Sequence, residues 1–275
     1  MAPDDSSTPP ASPPASPSVP GVLRVALVQH AADLDPAVNV KALAGLVPER
    51  EELDLVVLPE AFARDFGPAG SDVSAFAESV DGAFGTELAR VADERGTTVV
   101  AGMFERGDDP DRPWNTLLVR GTAHADYRKI HLYDSFGYRE SDRLTAGPVE
   151  PTVVDVAGWR VGLMTCYDLR FPELARALVD RGAEVLVVPA AWVAGDRKAD
   201  HWRTLARARA IENTVFVAAA GQPGPRYTGR SIVVDPLGDV LAEAGDGPDL
   251  LTAALDHDVL VQARRTNPSL ANRRM

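Results

Sequence analysis

From Leu23 onward, short apolar runs rich in Val and Leu alternate with longer stretches whose apolar positions recur every three or four residues. The short runs predict buried strands at Leu23–Val28, Leu53–Leu58, Thr97–Gly102, Thr116–Arg120, Val161–Thr165, Val185–Pro189 and Val215–Ala220, with later strands at Ser231–Val234 and Leu250–Leu255. The longer stretches predict helices over Pro36–Arg50, Thr86–Arg95, Pro172–Arg181 and Asp200–Asn213. The third has Pro near its start and Gly182 past its end, the usual helix punctuation. In the fourth, Trp202, Leu205, Ala206, Ala210 and Ile211 fall mostly along one face, with Arg203, Arg207 and Glu212 on the other. Strands alternating with helices predict a layered α/β domain. Asp235–Gly238 and Gly221–Gly224 read as turns, and no internal repeat occurs.

The pattern fades at both ends. Residues 1–22, rich in Pro, Ser and Ala, read as a tail without fixed structure, lacking the basic region and apolar stretch of a secretory signal. Residues 23–260 read as one domain, since nothing between them looks like a linker. Residues 261–275 are polar and basic and read as an arm, either loose or crossing onto a partner subunit. No apolar run approaches the ~18 residues of a membrane-spanning helix, so no membrane partner is expected. A formal net charge of −12 argues against nucleic acid, whose phosphates require a positive footprint. The single cysteine, Cys166, excludes an intramolecular disulfide and a thiolate zinc cluster. It is either a small buried hydrophobe or a reactive group, and a free thiol suits the cytoplasm.

Three polar groups share one placement: each follows a strand-like run. Glu60 ends the run from Leu53, Lys129 lies a short turn beyond the run from Thr116, and Cys166 ends the run from Val161. Ligands of open α/β sheets gather beyond the carboxyl ends of strands, so distant parts of the chain can bring these groups together. The trio makes chemical sense. A thiol is a strong nucleophile only as the thiolate, and Glu60 can take its proton. Lys129 can stabilise the negative charge of a tetrahedral intermediate, with the Tyr167 N–H as a second donor. Glu60 can then return the proton to the leaving amine and activate water. The histidines show no metal-binding spacing, and no Gly-rich phosphate loop is present, so neither metal nor cofactor is expected. A cysteine–histidine hydrolase fits less well, because Cys166 sits between Thr165 and Tyr167 rather than in a glycine-flanked elbow.

The segment Cys166–Glu173 (CYDLRFPE) resembles the cysteine signature of the carbon–nitrogen hydrolase, or nitrilase-like, superfamily. Val57–Glu60 (VLPE) resembles its glutamate motif and Tyr127–Tyr133 (YRKIHLY) its lysine motif, in the family's order. The resemblance implies an α/β fold, a four-layer α-β-β-α sandwich, that commonly pairs into homodimers or larger homo-oligomers. It implies Glu60 as general base, Lys129 as oxyanion-stabilising lysine and Cys166 as nucleophile. Glu140, in Tyr138–Ser141, matches a second glutamate that positions the site; a salt bridge to Arg139 or Arg143 is the competing reading. Asn115 matches a frequent family position, where a packing or loop role is equally open. Arg170 would bind a substrate carboxylate or pair with a nearby acid. Trp192 would line the pocket, with a core role as the alternative, and His131 is read as a packing or hydrogen-bonding residue. The residues after Cys166 resemble the amidase branch that includes omega-amidase and deaminated glutathione amidase. This implies a small, carboxylate-bearing amide as substrate and ammonia as a product. A nitrilase or an N-carbamoyl amino-acid hydrolase would use the same groups. A catalytically silent scaffold would show damage at the four matching positions, which are intact. In one respect the chain departs from that branch: the segment Ile130–Arg139 is shorter, implying a more open or differently shaped pocket.

Overall fold

A computed structural model of the chain describes residues 21–49 and 53–274. The expected tail, residues 1–22, lies almost wholly outside the described residues. Two six-stranded sheets form the centre. The first is built on β1 (Val22–Gln29), β2 (Leu55–Val57) and β3 (Thr98–Glu105), which run parallel. Beyond β3, β4 (Trp114–Gly121) and β5 (Ala125–Arg128) add antiparallel. The helices α1 (Pro36–Leu46) and α2 (Ala83–Arg95) cover its outer face. A small hairpin, β6 (Asp134–Ser135) and β7 (Tyr138–Arg139), follows β5.

The second sheet repeats the plan. Edge strand β8 (Val153–Val156) pairs antiparallel with β9 (Trp159–Leu163), which runs parallel to β10 (Val185–Ala190) and β11 (Phe216–Gly221). The strands β12 (Ile232–Val234) and β13 (Val240–Glu243) continue antiparallel. Helices α3 (Pro172–Asp180) and α4 (Lys198–Asn213) pack on its outer face. Strand β14 (Asp249–Asp256) returns to the first sheet beside β1, and α5 (His257–Thr266) ends the chain's regular structure. This is a four-layer α-β-β-α sandwich.

Strand periodicity explains the layering. In β1, Leu23, Val25 and Leu27 enter the core between the sheets, while Ala26 and Val28 join Leu43 of α1 and Phe84, Leu88 and Val91 of α2. Both faces are buried, so the strand reads as a continuous apolar run. The edge strands β5, β8 and β13 escape the sequence prediction because they are four residues long and partly exposed, leaving no apolar run to detect.

Helix ends differ from expectation for local reasons. α1 stops at Leu46 rather than Arg50, because Pro48 forces Val47 into an extended conformation. α2 starts at Ala83, ahead of Thr86. The Glu78 carboxylate accepts from the N–H groups of Ala83 and Phe84, capping the helix from five residues upstream. In α4, Ile211 faces outward, and the buried position goes instead to Arg209, which donates to the Leu169 carbonyl.

The C-terminal arm expected from residue 261 begins inside α5. Leu260 and Ala263 are buried against the main core, and Arg264 donates to the carbonyls of Thr214 and Ala183. Its basic residues therefore serve partly as hydrogen-bond donors to loop carbonyls. Among the described residues no helix is long and apolar enough to cross a membrane. Leu260→Ala should destabilise the fold by about 2–5 kcal/mol, the range for truncating a buried leucine. Urea unfolding followed by circular dichroism measures it; a midpoint unchanged from wild type would show that α5 does not help hold the domain together.

Candidate active site

Three strands of the two sheets end at one place. Glu60 lies three residues past the end of β2, Lys129 directly follows β5, and Cys166 lies three residues past the end of β9. All three are buried, as is Glu140, which opens a short 3-10 turn after β7. The Lys129 ammonium donates to Glu60 Oε1 at 2.9 Å and to the Glu140 oxygens at 2.8 and 3.1 Å. Glu140 thus pairs with Lys129, not with Arg139 or Arg143.

The surrounding groups hold the carboxylates still. Glu60 Oε1 accepts from Asn115 Nδ2 at 2.7 Å, and Oε2 accepts from the Ala191 N–H at 2.7 Å, just beyond β10. The open reading of Asn115 resolves into a hydrogen bond to Glu60. Gln222 Nε2 fixes the Glu60 carbonyl at 3.0 Å, and the Tyr133 N–H donates to Glu140 Oε2. Gly102 of β3 lets the Glu60 segment lie close: a Cβ there would sit 2.4 Å from the Ala61 nitrogen and 2.8 Å from Glu60 Cα.

Electrostatics set the resting protonation. Burial alone would lower the Lys129 pKa, but the charges of Glu140 and Glu60 outweigh it and hold the group well above its ordinary value. Lys129 is therefore a permanent ammonium. Burial pushes the Cys166 thiol well up, and the Glu60 charge pushes it further, against the pull of Lys129. Two carboxylates and one ammonium already leave the cluster net negative, so a thiolate would add a second uncompensated charge in a buried site. The thiol therefore rests protonated. The backbone at Cys166 has φ = +46°, placing the thiol at the apex of a tight turn.

A cavity of about 400 Å³ opens above these groups. Tyr167 and Trp192 line it, and the Trp192 indole N–H donates to the Lys198 carbonyl at 2.9 Å. Arg170 also lines it, and among the described residues it has no carboxylate partner. Its guanidinium lies 4.8 Å from the Trp192 ring centre and 5.8 Å from that of Tyr167, with His201 Nδ1 at 3.5 Å. The anticipated pairing with an acid is absent. A second cation, Lys198, was not legible in the sequence. Its ammonium donates to Tyr133 Oη at 2.9 Å and sits 3.7 Å from the Phe136 ring centre, again without a carboxylate. Burial, then the Arg170 charge, lower its pKa. Phe136 tips the β6–β7 hairpin, so the short segment after Lys129 supplies one wall of the pocket.

Residues 24–265 match the model of the carbon-nitrogen hydrolase family. The chain belongs to that family. A deaminated glutathione amidase from Escherichia coli O157:H7 is 42% identical, over 86% of this chain and 91% of its own. A carbon–nitrogen hydrolase superfamily protein from Xanthomonas campestris, solved with an arsenic adduct in its active site, superposes with a TM-score of 0.83. It is 32% identical, over 92% of this chain and 98% of its own. A mutant of the amidase from Nesterenkonia sp. AN1, with the acetamide moiety of fluoroacetamide added covalently at its active-site cysteine, gives 0.74 at 31% identity. That match covers 93% of this chain and 98% of its own. This carbon–nitrogen hydrolase therefore combines a single buried cysteine with a glutamate–lysine pair, the composition of a cysteine-based amide hydrolase.

Gly102→Ala should lower turnover about 100-fold, the scale for misplacing a reacting group by ~1 Å, because the new methyl must push the Glu60 segment outward. Steady-state kinetics on an amide substrate measure it. Wild-type turnover would mean that the Glu60 segment tolerates displacement.

Proposed function

We propose that the enzyme cleaves a small, carboxylate-bearing amide through a Cys166 thioester. The supporting observation is the buried Glu60–Lys129–Glu140 cluster beside Cys166, under a cavity whose lining includes Arg170 and Lys198, neither with a carboxylate partner among the described residues.

In this reading the Cys166 sulfur attacks the amide carbonyl carbon as its proton passes to Glu60. The carbonyl oxygen takes the negative charge, stabilised by the Lys129 ammonium and the Tyr167 N–H. Lys129 gives up its longest contact, 3.1 Å to Glu140 Oε1, to reach the oxyanion. The intermediate collapses, the C–N bond breaks, and Glu60 returns its proton to the leaving nitrogen. Water then attacks the thioester carbonyl, giving its proton to Glu60. The carboxylic acid leaves and the thiol is restored. Glu140 and Asn115 keep Lys129 and Glu60 in place and take no proton.

Arg170 and Lys198 bind the substrate carboxylate. Both cations face the cavity without an acid of their own, and their mutual repulsion is relieved when an anion enters between them. The names of the deaminated glutathione amidases among the relatives support an acidic amide. We take the working form to be a cytoplasmic homodimer, a state that light scattering of the purified chain tests.

The reading is tested on a panel of 2-oxo-acid amides, deaminated glutathione, aliphatic amides, N-carbamoyl amino acids and nitriles, following release of ammonia or amine. Cys166→Ala should abolish turnover of every substrate and keep the wild-type circular dichroism spectrum; full activity in that variant would sink the mechanism. Release from nitriles or carbamoyl compounds alone would keep the chemistry and move the substrate class. Lys198→Met should raise KM for a carboxylated amide about 10- to 100-fold, the scale of one charge-assisted hydrogen bond. It should leave an uncharged amide nearly untouched. Equal effects on both amides would remove Lys198 from carboxylate binding.

A further inference from the structure

One buried acid has no part in this chemistry, yet it is tied to both halves of it. The Asp168 carboxylate is fully buried and does not line the cavity. Its Oδ2 accepts from the Thr165 N–H at 2.9 Å and from the Tyr127 hydroxyl at 2.7 Å. Its Oδ1 accepts from the His131 N–H at 3.0 Å and lies 2.7 Å from His131 Nδ1, which then carries the hydrogen, since a carboxylate only accepts.

The positions of those donors matter more than their number. Thr165 immediately precedes Cys166, and Tyr127 and His131 lie two residues on either side of Lys129. Asp168 also closes the nucleophile's turn twice over. Its side chain takes the Thr165 N–H, and its own N–H donates to the Thr165 carbonyl at 2.9 Å. Cys166, at the apex, is thereby held in a left-handed conformation that a residue with a side chain disfavours. The His131 ring stacks on Phe171 at 3.8 Å and 7°, bracing the clamp from the outer side.

We propose that Asp168 is a positioning residue that sets the separation of Cys166 from Lys129 by clamping both of their chain segments with one carboxylate. It acts on the rate through those segments and does not touch the substrate. The inference rests on the reading of Cys166 and Lys129 as the reacting pair.

Asp168→Asn tests it. An amide has one accepting oxygen, so whichever way it turns its NH2 meets a main-chain N–H, that of Thr165 or of His131, and that contact is lost outright while its neighbour must reverse its role. The rate of Cys166 alkylation by iodoacetamide should fall about 100-fold, and kcat on whichever amide the wild type turns over should fall with it, the scale for misplacement by ~1 Å. KM for that amide should stay within roughly threefold, because the substrate contacts are intact. Tyr127→Phe removes one donor only and should give a loss of about 10-fold in both rates, a fraction of the full displacement. A core variant on α2, Val91→Ala, serves as control: with a similarly lowered melting temperature it should keep both rates. Wild-type alkylation and kcat in Asp168→Asn would overturn the proposal, as would an equal loss in Val91→Ala. Should Asp168→Asn fail to fold, Tyr127→Phe decides, and wild-type rates there overturn it. Unchanged turnover in Cys166→Ala would sink the underlying mechanism instead, whereas a dead Cys166→Ala beside an unaffected Asp168→Asn sinks only the clamp.

Discussion

An ammonium buried between two carboxylates is the constraint that the rest of the structure serves. Lys129, Glu60 and Glu140 are almost wholly removed from water. Taking such charges out of water costs several kcal/mol per ion, and mutual attraction repays that only with good geometry and satisfied hydrogen bonds. Well-packed apolar side chains in the same space would often be neutral or stabilising. Stability therefore does not explain this cluster. The proposed chemistry does: an ammonium held well above its ordinary pKa is a fixed positive charge, and in that reading it faces the place where negative charge develops.

The fold supplies the order that such a cluster requires. No single element could hold it, because each charged group comes from a different stretch of chain. The two Glu60 oxygens reach across both sheets, one to Asn115 and Lys129 of the first and one to the Ala191 N–H beyond β10 of the second. Sliding one sheet against the other would break these contacts together. The apolar core between the sheets resists that slide, and within the first sheet Gly102 leaves room for the Glu60 segment to lie against β3. Packing and site are thus one constraint seen from two sides.

What the sequence made legible follows the same logic. Strands buried on both faces, such as β1, β10 and β11, announce themselves as apolar runs, and Glu60 and Cys166 were found because each ends such a run. The four-residue edge strands β5, β8 and β13 did not, whereas the eight-residue edge strand β14 was long enough to be read. α5 was not read as a helix, and its residues from 261 were assigned to an arm, because its two buried positions, Leu260 and Ala263, are outnumbered by polar neighbours. Lys198 and Asp168 depend on what stands opposite them in space. A lysine at a helix start is ordinarily solvated, and nothing local marks this one as roofed by Phe136 and Tyr133. Asp168 sat inside a motif already singled out, but its partners beside Lys129 lie 37 and 41 residues away. Arg170 is the complementary case: its lack of an acid partner is a property of the assembled pocket.

Under the proposed function, the charges of the pocket also bear on how an acidic amide would enter. Its floor carries two carboxylates against one ammonium, and its rim carries Arg170 and Lys198 without acids. A substrate carboxylate is repelled from the floor and attracted to the rim. The neutral amide meets no such penalty, so it is the end delivered to Cys166. The resting thiol is part of the same arrangement. Were it a thiolate, the floor would carry a further negative charge, and Lys129 would be neutralised before any oxyanion formed. Keeping the proton on sulfur until the carbonyl arrives leaves the ammonium's full charge for the transition state, where a preorganised donor contributes most.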